Sequence, residues 1–314
     1  MGTTNYKNGV SYSTDSNIER ISGTSVPTAG TAGYAPGCEF LLRNCSLGQC
    51  PKWMNFGTAT SCAFYPVGPT LGYGFARAGA RLATSGSTTE IIEDGFANTD
   101  IAFAGHIKSN DDDYIASVIV TDDDDHMIIT ADADPLGDHG YMYAALRDKC
   151  VPEWDIVYAG QAASTAATST AITVTGVLAT DIALACYAAT DDTDAIEKTV
   201  CSANTVTVSH SATSDTNHTI NYVVLRQRGS FAPSHYVAYA GSNVATTADA
   251  AGIATNDVTL TGALATDLAF AVISTQGGTI EIAAATMSAD TLTIKFSADP
   301  STSSAFSYMV LRAY

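Results

Sequence analysis

Three arginines close three copies of one pattern: YAALR ends at Arg147, YVVLR at Arg226 and YMVLR at Arg312. Basic residues are scarce, 14 Lys plus Arg among 314 residues, so a recurring one marks a repeated unit. Asp100, Asp181 and Asp267 recur in step with them. The chemistry open to such a set is a fork of two parallel N–H···O bonds from guanidinium to carboxylate. If the strand ends that carry them are neighbours, the pair pins sheet register. The alternative is an arginine lying over a tyrosine earlier in its own strand. No nucleophile or base recurs with the pair, so it reads as structural.

Other reactive groups lack a constellation. The histidines His106, His126, His139, His210, His218 and His235 show no shared spacing. There is no GxSxG elbow, phosphate loop, HExxH or dinucleotide fingerprint. The acidic runs Asp111–Asp113 and Asp122–Asp125 are contiguous, so successive carboxylates point apart, which suits solvated loops better than calcium. The expectation is a chain that is no enzyme and takes no cofactor or metal.

The elements that carry these residues follow from the repeat. Gly79, Gly160 and Gly241 lie 81 residues apart, each in an alanine–glycine pair at the start of a copy. Within a copy, runs such as DVTLTG, LAFAVIST, TLTIKFSA and FSYMVLRAY alternate with period two between Gly, Asp, Asn, Ser and Thr clusters. The fold class is therefore all-β. Three tandem antiparallel β-sandwich repeats are expected at 71–150, 151–232 and 233–314. In the last strand Tyr308, Val310 and Arg312 share one face while Met309 and Leu311 share the other. Apolar groups on both faces predict a central strand, or one covered by a neighbouring copy or subunit.

The formal charge of −18 is uneven. Residues 1–70 hold four basic and three acidic residues, a net of +1, which leaves −19 for the three copies. A surface this acidic repels phosphates, so nucleic acid is not an expected partner. No apolar run reaches 18 residues and the N-terminus lacks a signal-peptide core, so neither a membrane span nor secretion is expected.

Ahead of the repeats, an extended arm is expected over 1–27 and a small cysteine-containing β module over 28–70. Cys38, Cys45, Cys50 and Cys62 are separated by six, four and eleven residues. No CxxC occurs, which disfavours a structural zinc site. A disulfide or local cross-link among the four fits a hairpin, although the cytosol would oppose it. Here "GYAPGCEF", an inserted hairpin and "MNFGTATSCAF" resemble a short module of structural proteins of tailed bacteriophages. The later "TGALATD", "SADP" and "YMVLR" resemble small β domains of phage virion proteins. The chain departs from that module by carrying Cys45 and Cys50 at the hairpin.

The resemblance implies a virion component on the outer capsid surface, made in the host cytoplasm. It implies a capsid decoration (cement) protein that binds the major capsid protein through its N-terminal region and projects acidic domains outward like beads. A homotrimer is the expected assembly. The alternative is a head- or tail-fibre-like protein that binds a host-surface glycan, with tyrosines, Trp53 and Trp154 as stacking platforms.

Overall fold

The computed structural model describes residues 5–7, 10–12, 17–43, 45, 50–67, 72–82, 87–92, 96–108, 115–121, 126–131, 140–150, 152–189, 196–211, 218–228, 233–246, 255–275, 280–300 and 304–314. Both acidic runs and His139 lie outside these residues.

The N-terminal region contributes β1 (Asn5–Lys7), β2 (Val10–Tyr12), β3 (Ile18–Gly23), β4 (Tyr34–Leu42), β5 (Lys52–Asn55) and β6 (Phe64–Pro66). Copy one follows as β7 (Tyr73–Leu82), β8 (Thr88–Ile92), β9 (Ile101–Lys108), β10 (Ile115–Val120), β11 (His126–Ala131) and β12 (Gly140–Asp148). Copy two is β13 (Trp154–Ala163), β14 (Ser169–Thr173), β15 (Ile182–Ala189), β16 (Ile196–Ser202), β17 (Thr205–His210) and β18 (Thr219–Gln227). Copy three is β19 (His235–Ala245), β20 (Thr255–Thr259), β21 (Leu268–Thr275), β22 (Ile282–Ser288), β23 (Thr291–Phe296) and β24 (Ala305–Ala313).

Each copy is a sandwich of two three-stranded antiparallel layers with one topology, and one layer of copy one joins its equivalent in copy two through β7 and β13 into a six-stranded sheet. The first, sixth and third strands make one sheet, as in β19-β24-β21, and the second, fifth and fourth make the other, as in β20-β23-β22. Alternation drives this pairing: along β23 the residues Leu292, Ile294 and Phe296 are buried while those between are half-exposed. The same β-bulge recurs in all three copies, at Ala76, Val157 and Ala238 of the first strand. It reverses the alternation there, so Phe75 and Ala78, which would otherwise face opposite ways, both enter one core.

The repeated glycines have a steric cause. Gly79, Gly160 and Gly241 sit directly opposite Tyr143, Tyr222 and Tyr308 in the ladder. The tyrosine ring lies over the bare backbone, where a Cβ would come within 2.9 Å of Tyr222 Oη at Gly160 and 2.5 Å of Tyr308 Cε1 at Gly241. Gly241→Ala is expected to displace the ring and cost about 1–3 kcal/mol, as overpacking does. Thermal denaturation checks this, and an unchanged midpoint would mean the ring moves freely.

The three copies do not stand as beads. In β24, Phe306, Tyr308 and Val310 fill the core of their own sandwich, whereas Met309 and Leu311 face the other way. There they join Phe103, Leu146, Leu184, Leu225 and Phe270 in a single core drawn from all three copies. The contacts are cyclic: β10 of copy one packs on β21 of copy three, β22 of copy three on β15 of copy two, and β16 of copy two on β9 of copy one. Equivalent strands meet at each junction, so one chain closes a ring about a pseudo-threefold axis. This is the heterologous, closing interface that usually forms between subunits.

Ring closure also covers an exposed sheet edge. β9, β15 and β21 flank their sheets, and an open edge invites unwanted pairing. The next copy supplies partners instead. Ala183 N–H points at Met142 Sδ at 3.1 Å, and Ala269 O accepts from Asn221 Nδ2 at 2.8 Å and Cys186 Sγ at 3.0 Å. Thr286 Oγ1 donates to Ala188 O.

The expected boundary between arm and module changes. β1 to β6 form one sheet in chain order, with β3 parallel to β4, so the segment 1–27 contributes strands to the module's own sheet. Ile18, Ile21 and Val26 pack on the module core of Cys38, Phe40, Leu42, Trp53, Cys62 and Phe64. Buried Asn55 shapes the rest: its Oδ1 accepts from Gly57 and Ala63 N–H, and its Nδ2 donates to Tyr34 and Ala35 O. Cys38, Cys45, Cys50 and Cys62, the residues expected to offer a disulfide or local cross-link, carry thiols here. Three of those thiols reach backbone carbonyls: Cys38 to Glu39, Cys50 to Lys52 and Cys62 to Thr28.

Candidate functional site: three structural hubs and one outward face

The structure brings the recurring aspartates and arginines together in every copy. Arg147 donates through Nε and NH2 to Asp100 at 2.7 Å each. Arg226 reaches Asp181 at 2.6 and 2.5 Å, and Arg312 reaches Asp267 at 2.8 and 2.6 Å. Each carboxylate also accepts the N–H of the residue three before it, Ala97, Leu178 or Leu264. The hydrogen-bonded aspartate raises the pKa of each arginine.

In copies two and three the guanidinium gathers further segments. Its NH2 also donates to Gly176 O or Gly262 O, 2.8 and 2.9 Å away. Those glycines have φ of +98° and +87°, a region that disfavours side chains. Their N–H groups donate to Asn204 and Asp290, the left-handed residues at the tip of a two-residue hairpin. One arginine thus ties the last strand, the third strand, the turn before it and a hairpin. Sequence reading found the pair but missed Asn204 and Asp290, although SAN and SAD at matching places were a signal. Arg312 combines the pair with a position over Tyr239 of the paired strand, 5.9 Å from the ring centroid. The bidentate geometry, repeated in every copy, is that of a structural pin.

The thiols are no better suited to chemistry. Burial pushes Cys38, Cys186 and Cys201 up to about 12, where the nucleophilic thiolate is negligible at neutral pH. Among the described residues, no group of three or more His, Cys, Asp and Glu could hold a metal ion.

One histidine cluster escaped sequence reading because it occurs in copy two alone. His210 Nδ1 lies 2.7 Å from Tyr187 Oη and its Nε2 3.0 Å from Thr170 Oγ1, with His218 edge-on to Tyr187. Burial, then the proximity of His218, lowers the His210 pKa. A depressed histidine favours folding in its neutral form. Its contribution is full above about pH 6.5 and is lost as pH falls below that value. The urea midpoint should therefore be lower at pH 5 than at pH 7.5, and His210→Gln should narrow the gap. An equal gap in both proteins would remove His210 from the account.

Exposed large apolar side chains occur on the ring, at Leu82, Leu178 and Leu264, and on the N-terminal sheet. Its inner face holds the module core, and Trp53 meets Tyr314, which in turn meets Tyr236 of copy three. Its outer side carries Leu41, 49% exposed, and the following loop carries Phe56, 64% exposed and against Tyr65. Beside Leu41, Glu39 pairs with Lys52 at 2.9 Å and Arg20 at 3.6 Å, which leaves one positive charge in excess there. No family model, curated protein or solved structure matches this chain.

Proposed function

We propose that the chain is a non-enzymatic virion structural protein that decorates a tailed-phage capsid. Its N-terminal module binds the major capsid protein, and the acidic ring is the head held outside the shell. The observation that carries this reading is a division of labour. The ring turns its apolar strand faces on itself and leaves Leu82, Leu178 and Leu264 exposed singly at turns and a strand end, while the near-neutral module exposes Leu41 and Phe56 on and beside one sheet. Binding only to the assembled shell would stabilise it by mass action.

The stacking platforms that a glycan-binding fibre needs are not available on the same scale. Trp53 is buried in the module, Trp154 packs on the shared core, and Tyr143 and Tyr308 are buried. Since one chain already supplies three sandwiches, we propose that it acts as a monomer, in place of the homotrimer expected from the sequence.

Deleting residues 1–27 would remove β3 and strip the module core, so point changes test docking better. Leu41→Asp with Phe56→Asp should abolish co-sedimentation with empty shells while leaving the melting curve in place. Undiminished decoration by the folded double variant would refute docking through this face.

A further inference from the structure

The junctions of the ring are not closed alike. The third strands of copies two and three carry a bulged residue at the same place, Ala188 and Ser274. Where copy three meets copy two, Thr286 Oγ1 donates to the carbonyl of Ala188. Where copy one meets copy three, Ile119 takes the place of Thr286, and its side chain has nothing to donate. A cavity of about 290 Å³ lies at that junction, open to solvent on one side and lined by both Ile119 and Ser274. Ser274 is 4% exposed and, among the described residues, its Oγ has no hydrogen-bond partner.

Copy three is also built differently beside this cavity. Its first strand has an irregularity between Gly241 and Val244 that β7 and β13 lack, so Ser242 and Asn243 both stand opposite Ser307. Asn243 has φ of +51° there, a conformation that asparagine tolerates better than most residues. Bulges of this kind re-aim side chains beside functional sites. Ser242, Asn243, Thr275 and Ser307 line the cavity with Ser274, and Asn98 joins them from copy one. Much of the remaining lining is aliphatic, with Val118 and Val120 beside Ile119 on β10.

We infer that this junction cavity is a binding site for a neutral monosaccharide unit. Serine and threonine hydroxyls both donate and accept, and an asparagine amide does each from a different atom, which complements a ring of sugar hydroxyls. The aliphatic residues of β10 offer a wall to the C–H groups of the same ring. Charged ligands fit less well. Asp100 is the one ionisable residue among the described lining residues, and both its oxygens already bind Arg147. A cation would meet a carboxylate that a guanidinium has neutralised, and an anion would meet an acidic ring. Recognition here rests on hydrogen bonds and needs none of the aromatic platforms that the chain keeps buried. The inference does not depend on the decoration reading.

The probes are glucose, galactose and mannose, each as the free sugar and as its methyl glycoside, added to the full chain with its amides labelled for NMR. At least one should give saturable shifts at Ser242, Asn243, Ser274 and Ser307, together with a raised melting temperature. Binding of a glycoside would mark the end of a glycan chain, and binding of the free sugar alone a free monosaccharide; either supports the site. Ser274→Ala should weaken that binding at least about tenfold and melt no lower than the parent, because it removes an unsatisfied buried hydroxyl. If that variant fails to fold, Asn243→Gly keeps a residue suited to positive φ and should weaken binding with the fold intact. The absence of saturable shifts with every probe in the parent would overturn the inference, as would undiminished binding in either folded variant.

Discussion

Arg312→Met should lower the stability of the protein by roughly 3 kcal/mol, the lower end of the range for removing one partner of a buried ion pair. The cost arises on the partner. The Asp267 side chain is 1% exposed, whereas Arg312 is 24% exposed and could be hydrated if released. Without the arginine the carboxylate keeps the Leu264 N–H but loses two charge-assisted bonds, and Gly262 O loses a donor. In a protein of this size the loss corresponds to a midpoint shift of roughly 4–5 °C. Adding Asp267→Leu to Arg312→Met should recover part of it, because no buried charge is then stranded. A single variant that melts within a degree of the parent would show that the recurring pair is not a pin.

The second large effect concerns the shared core. Leu225 is fully buried and faces the axis, so Leu225→Ala should cost about 2–5 kcal/mol. The location of the loss is more informative than its size. Hydrogen-exchange protection should fall in β12, β18 and β24 alike, because all three strands line the one core. A loss confined to copy two would mean that the sandwiches are independent and merely touch.

The repeat, the period-two strands and the Asp–Arg pairing were legible in the sequence because each is written three times in residue identity. The double-faced hydrophobicity of FSYMVLRAY correctly signalled a cover on its second face. It could not say which element provides the cover, since β10 meeting β21 depends on shape and closure over long separations. β3 was missed for a related reason: IERISG alternates weakly, and its strand character comes from parallel pairing with β4. Cysteine spacing allowed cross-links but did not show the thiol-to-carbonyl contacts that Cys38, Cys50 and Cys62 make. The His210 cluster occurs once, so no repetition revealed it.

For the outward face the sequence supplied charge, and the structure supplied exposure. Residues 1–70 were nearly neutral on inspection. That Phe40 points inward while Leu41 points out followed from alternation only once β4 was placed against β5. Phe56 gave no such signal, because it lies in the loop after β5, where the period-two rule does not reach.

The central claim is that one chain closes its own threefold ring. The same cyclic interfaces could in principle join copies from three different chains, and the native mass separates the two arrangements. Sedimentation equilibrium of the full chain should give the mass of a single chain, 32.5 kDa, across the accessible concentration range. A stable species of three chains would contradict the account.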